Sequence, residues 1–81
     1  MMSLSELTKF IVLGLVEDKD SVEIEEVNED NSILINVKVS DSDMGKLIGR
    51  DGKIINSIRT IIQEASSLRD SKFVKVEVIK K

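Results

Sequence analysis

Ile48-Gly49-Arg50-Asp51-Gly52-Lys53-Ile54-Ile55 lies past the middle of an 81-residue chain, with a helical pattern on each side. Upstream, Ser40-Asp41-Ser42-Asp43 supplies N-cap side chains for a short helix carrying Met44, Leu47 and Ile48. Downstream, Ile54, Ile55, Ile58, Ile61, Ile62, Ala65 and Leu68 fall within an arc of ~140° at ~100° per residue, which predicts a helix from Lys53 to about Leu68. Gly49 and Gly52 therefore sit in a tight turn between two helices. Glycine lacks the Cβ that blocks a close approach to backbone. The second helix begins at Gly52-Lys53, so its unpaired N–H groups and positive dipole end face the turn. Arg50 and Lys53 add charge suited to phosphate oxygens, and Lys46 stands one turn earlier. Other glycine loops fit worse. A Walker loop needs Ser or Thr after Gly52-Lys53, where Ile54 stands, and a first glycine where Leu47 stands; a dinucleotide loop follows a strand. On its own, the spacing of the two glycines also fits a turn that serves geometry alone.

Outward from the turn, Ile33, Ile35, Val37 and Val39 alternate with Leu34, Asn36 and Lys38, the signature of a half-buried strand. Before it, Val22, Ile24 and Val27 sit among glutamates as a shorter strand with one wet face, and Asn28-Glu29-Asp30-Asn31 joins the two as a hairpin. Those glutamates read as a solvated strand edge rather than a metal site. Ser3-Leu4-Ser5-Glu6 fits a capping box, and Leu4, Leu7, Ile11 and Leu15, flanked by Phe10 and Val16, predict a helix from Leu4 to about Asp18. Phe73 to Ile79 alternates with Val74, Val76 and Val78 on one face. The order is α-β-β-α-α-β. The last strand returns through a two-helix crossover, which favours parallel pairing with strand 33–39. One α+β domain over residues 3–80 is expected, a three-stranded mixed sheet with three helices on one face.

The octapeptide resembles the I-G-x-x-G-x-x-I signature of KH domains, and the element order resembles their type II arrangement. The wider run from Gly45 through Gly52 and Ile58-Arg59-Thr60 to Ala65 is similar to the KhpA family of small bacterial single-KH proteins. The resemblance implies single-stranded RNA binding without catalysis: the loop grips the backbone of about four nucleotides while bases lie in an apolar groove. Mapped here, Gly49, Arg50, Asp51 and Gly52 hold phosphates, Lys46 and Lys53 flank them, and Ile48 and Ile55 form the groove wall or its support. It also implies a partner of the KhpB or Jag family, a part in RNA chaperoning or post-transcriptional regulation, and, in some bacteria, in cell-wall synthesis and cell shape. Asp51 departs from an ideal phosphate loop, nearly cancelling Arg50. Weak, salt-sensitive affinity is therefore expected.

Composition narrows the alternatives. The chain has no histidine or cysteine, which removes the commonest general base, thiolate nucleophiles and zinc ligands. No metal or other cofactor is implied, and an enzyme is not expected. With two aromatics, Phe10 and Phe73, base stacking on rings is disfavoured. The longest apolar run, Phe10 to Val16, is too short for a membrane span, and the N-terminus lacks the basic stretch of a signal peptide, so a cytoplasmic location without membrane insertion is expected. Net charge is −3, unevenly spread: residues 1–31 carry nine acids and two lysines, residues 32–81 ten bases and six acids. That asymmetry suggests a basic working face and an acidic back. On the isoleucine-rich helix, Ile54, Ile58, Ile61 and Ala65 are expected in the core. Ile55 and Ile62 lie at the arc's edge, where a second copy of the chain can dock. The rival functional reading is a protein-interaction adaptor of the same shape with little RNA affinity.

Overall fold

The computed structural model describes residues 2–69 and 72–81. The elements are α1 (Leu4–Leu13), β1 (Glu23–Asn28), β2 (Ser32–Val39), α2 (Asp41–Ile48), α3 (Lys53–Arg69) and β3 (Phe73–Lys80), with 3-10 turns at Lys19–Ser21 and Arg50–Gly52. β2 is the central strand. β1 lies antiparallel beside it, from Glu23 opposite Lys38 to Asn28 opposite Ile33. β3 lies parallel on its other side, from Ser32 opposite Phe73 to Val39 opposite Lys80. The expected order and strand directions are those observed.

Strand alternation decides which face of the sheet is covered. Ile33, Ile35, Val37 and Val39 of β2, with Val74 and Val76 of β3, turn toward the helices and are buried. Leu4 and Val12 of α1, Leu47 of α2, and Ile55, Ile58 and Ile62 of α3 meet them. Burial of this kind contributes about 25 cal/mol per Å² of apolar surface and is the main term holding a small domain together.

Two details differ from the sequence pattern. α1 stops at Leu13, five residues short of the expected end, with Gly14 as its C-cap. Its buried face is Leu4, Thr8 and Val12, not the stripe through Leu7, Ile11 and Leu15; Leu15 and Phe10 are exposed. Thr8 is tolerated inside because its hydroxyl donates to the Leu4 carbonyl at 2.8 Å. The capping box at Ser3 and Glu6 forms as read.

The larger difference is the rotation of α3. Ile55, Ile58, Ile62 and Ser66 face the sheet, while Ile54 and Ile61 are 37% and 50% exposed and Leu68 87%. Ile62, expected at the edge, is fully buried, and so is Ile55. The helix is turned by ~50° from the centre of its apolar arc, at ~100° per residue. Hydrogen bonds to β3 and the residue before it account for that phase: the buried Ser66 hydroxyl donates to the Lys72 carbonyl at 2.8 Å, and Gln63 and Arg59 bond to Val74 and Val76 of the strand.

Asp43 ties α2 to the segment after α1. Its carboxylate is 1% exposed and accepts from the Glu17 and Asp18 amides at 3.0 and 2.9 Å and from the Ser40 hydroxyl at 3.1 Å. The Glu17 amide first, then the Asp18 amide, holds its pKa below the ordinary carboxylate value. A depressed folded-state pKa contributes stability that is present above the unfolded value and lost as pH falls through the folded one. Melting temperature is therefore expected to fall below about pH 4, the unfolded carboxylate range. Asp43→Asn should melt lower at neutral pH, where an NH2 group replaces one acceptor, and the gap to wild type should narrow toward pH 3. Thermal melts across pH 3–7 check this; an equal gap at both ends would remove Asp43 from the acid response.

Candidate nucleic-acid interface

The turn after α2 is built from unusual backbone. Gly49 has φ 67° and ψ −168°, a region essentially closed to side-chain-bearing residues, and Gly52 has φ 74°. Asp51 between them is left-handed too, at φ 57° and ψ 26°, a conformation Asp adopts more readily than most residues. Asp51 thus suits the turn conformationally while its charge opposes an anion. A Cβ on Gly49 would lie 2.9 Å from Cγ1 and Cδ1 of Ile54, so the approach of the turn to α3 also demands glycine.

Arg50 and Lys53 are exposed and pair with no acid among the described residues. They stand at the head of α3, a 17-residue helix with no acid in its first turn, where the macrodipole favours an anion. Lys46 is differently placed: its Nζ pairs with Glu17 and lies 3.8 Å from Asp43 Oδ1, so much of its charge is already answered. The acidic N-terminal third therefore reaches round to α2 instead of lying wholly behind the loop. Ile48 is 37% exposed beside the turn, whereas Ile55 is buried and can only support a groove from within.

A second concavity runs along α3. A cleft of about 390 Å³ opens between α3 and the outer edge of β3, lined by Arg59, Thr60, Gln63 and Glu64 on the helix and Phe73 to Val76 on the strand. Its floor is edge backbone. The Gln63 carboxamide accepts from the Val74 amide at 2.9 Å and donates to the Lys72 carbonyl at 3.2 Å, the two bonds a neighbouring strand would make. The Arg59 Nε donates to the Val76 carbonyl at 3.0 Å. Neither residue stood out among the candidate site residues. Their signal in the sequence is a polar pair at i and i+4 on one flank of an apolar helix, which also describes any solvated helix face.

The chain matches the family model for the KH domain of KhpA/KhpB over residues 5–78. It is 43% identical over 76 residues to a protein named RNA-binding protein KhpA from Caldanaerobacter subterraneus subsp. tengcongensis, covering 94% of this chain and all of that one. A protein of the same name from Clostridium perfringens is 40% identical over the same shares. Among solved structures, Era from Aquifex aeolicus aligns with a TM-score of 0.64 at 16% identity, over 96% of this chain and 30% of that one, a likeness of fold alone. By sequence along nearly its whole length, and by element order, this chain belongs to the KhpA/KhpB KH-domain family.

Proposed function

We propose that the chain binds single-stranded RNA, holding the sugar–phosphate backbone at Gly49–Gly52 while bases run along the cleft between α3 and β3. The observation that carries this reading is the turn itself. Three of its four residues have positive φ, and two cations with no ion-pair partner among the described residues, Arg50 within it and Lys53 just after it, stand at a helix N-terminus. The relatives' name, RNA-binding protein KhpA, points the same way. Lys53 and Arg50 are the main phosphate contacts, Lys46 a lesser one. The roles that go with this reading are RNA chaperoning in the cytoplasm and joint action with a KhpB/Jag-family protein.

The exposed stripe favours a second copy of the chain as a further partner. Ile54, Ile61 and Leu68 recur every seven residues on one side of α3, with Ser57 and Ala65 beside them and the exposed Glu64 bordering the row. Two copies related by a two-fold axis can meet there through the apolar row, with Glu64 at its border. The docking side expected at Ile55 and Ile62 moves to Ile61 and its neighbours.

Fluorescence anisotropy with labelled nonamers at low salt tests the RNA reading. Wild type should bind, with affinity falling as salt rises. Arg50→Glu/Lys53→Glu, both exposed positions, should keep the melting temperature and lose at least about tenfold in affinity, with a salt slope shallower by up to ~1.4 for two lost contacts to a single strand. Unchanged binding in the double variant would exclude this loop as the backbone grip.

A further inference from the structure

We propose that Arg59 is the base-reading residue of the cleft and that it favours guanine and uracil, which carry a carbonyl oxygen (O6 or O4) at the position where adenine and cytosine carry an amino group. This rests on the reading of the chain as a single-stranded RNA binder and adds a selectivity to it. The Arg59 guanidinium is held in place by its neighbours. Its Nε donates to the Val76 carbonyl at 3.0 Å and its Nη1 to Asn56 Oδ1 at 3.0 Å, while Nη2 lies 3.9 Å from Glu77 Oε2. A guanidinium carries five N–H donors in one plane. Two are committed, a third is loosely answered, and the remainder project from a side chain that is 44% exposed on the cleft wall. Arg59 is therefore fixed in orientation with donors to spare, the condition under which binding loses little side-chain entropy.

The other polar groups of the cleft offer less. The Gln63 carboxamide is engaged at both ends by Val74 and Lys72. Lys75 lies 3.4 Å from Glu77. Glu64 is exposed on the outer rim and has no tether among the described residues. Thr60 also lines the cleft, but its hydroxyl proton is donated to the Asn56 carbonyl at 3.0 Å, so the oriented donors of the wall are those of Arg59. Guanine answers a planar fork of donors with O6 and N7, and uracil offers a carbonyl where cytosine places an amino group. Adenine and cytosine set an amino donor against the guanidinium. Arg59 lies seven residues beyond Gly52, about 10 Å along the helix axis, within reach of a strand whose phosphates the turn holds.

The test measures ratios. Labelled nonamers U9, the alternating GUGUGUGUG, A9 and C9 are titrated with wild type, Arg59→Lys and Arg59→Gln, alongside melts of each protein. Wild type should bind the U and GU strands about tenfold more tightly than A9 and C9. In Arg59→Lys, which keeps the charge but loses the planar fork, that ratio should fall to about threefold or less, and in Arg59→Gln further. The change in ratio between proteins cancels differences in how the free strands stack. A ratio unchanged in both variants, or a wild type that binds all four strands alike, overturns the role of Arg59 and leaves the RNA reading standing. A wild type that binds none of the four overturns both.

Discussion

Ile62→Ala should be among the most damaging single truncations in this domain, costing about 2–5 kcal/mol. Ile62 has no exposed surface and packs at the centre of the layer formed by α3 and the sheet. A domain of this size is stable by only about 4–12 kcal/mol, so melting should drop by roughly 10–30 °C. Ile62→Glu should not fold, because no cation is buried among the described residues to pair with a carboxylate there. Ile61→Glu, one residue away and half exposed, should fold and melt near wild type. If the α3 stripe joins two copies, the Ile61→Glu variant sediments as a monomer at concentrations where wild type is a dimer. Melting curves and sedimentation velocity on the three variants separate these outcomes. A well-folded Ile62→Glu would mean that α3 is rotated otherwise than described, and a monomeric wild type at high concentration would end the dimer.

Gly49→Ala comes next in expected effect. Backbone at φ 67° and ψ −168° costs a side-chain-bearing residue about 1–3 kcal/mol, and the new methyl must displace Ile54, whose Cγ1 is 2.9 Å from where it would sit. Melting should fall by roughly 5–20 °C, and nonamer affinity should fall with it as the turn rearranges. Gly45→Ala is the control. That glycine lies inside α2 with open space around the position of a Cβ, so alanine should raise stability by about 0.5–1 kcal/mol through helix propensity. Equal melting temperatures for the two variants would mean that the turn tolerates a Cβ and that its glycines serve no conformational need.

These two residues mark where the sequence could be read and where it could not. β2 was legible because a period of two leaves no choice of face once Ile33 to Val39 alternates, and the caps at Ser3 and Ser40 announced their helices. The turn was legible as a site because glycines and cations converge there. α3 was legible as a helix but not in its rotation. Seven apolar residues cover more of its circumference than the sheet can bury, and the choice among them fell to polar groups: Ser66, Gln63 and Arg59 reach β3 and the residue before it only if Ile62 points inward. α1 shows the same limit, since Thr8 enters the core by bonding its own helix backbone, which a hydrophobic pattern cannot register. The cleft was invisible for a related reason. It is made from the backbone edge of a strand and from helix residues that, in sequence, look solvent-facing.

The carboxamide of Gln63 also bears on how the sheet ends. Phe73 to Ile79 is rich in β-branched residues, has no net charge because Lys75 offsets Glu77, and is free of proline, the kind of segment that recruits a matching strand from another molecule when its edge is bare. Here the first recruiting pair is already taken by Gln63 and a later acceptor by Arg59, so a foreign strand must break those bonds to pair along the first half of β3. The opposite border, β1, is guarded by charge: Glu26, with Glu23 and Glu25 partly answered by Lys81 and Lys38, would confront its own copy in an edge-to-edge encounter. The two safeguards differ in their sensitivity to the medium. Repulsion between carboxylates fades over a Debye length of about 8 Å at physiological ionic strength and shorter in concentrated salt, whereas occupancy by a side-chain amide does not. Polymerisation in strong brine should therefore start from β1, and β3 should become an equal starting point only in a chain that has lost Gln63.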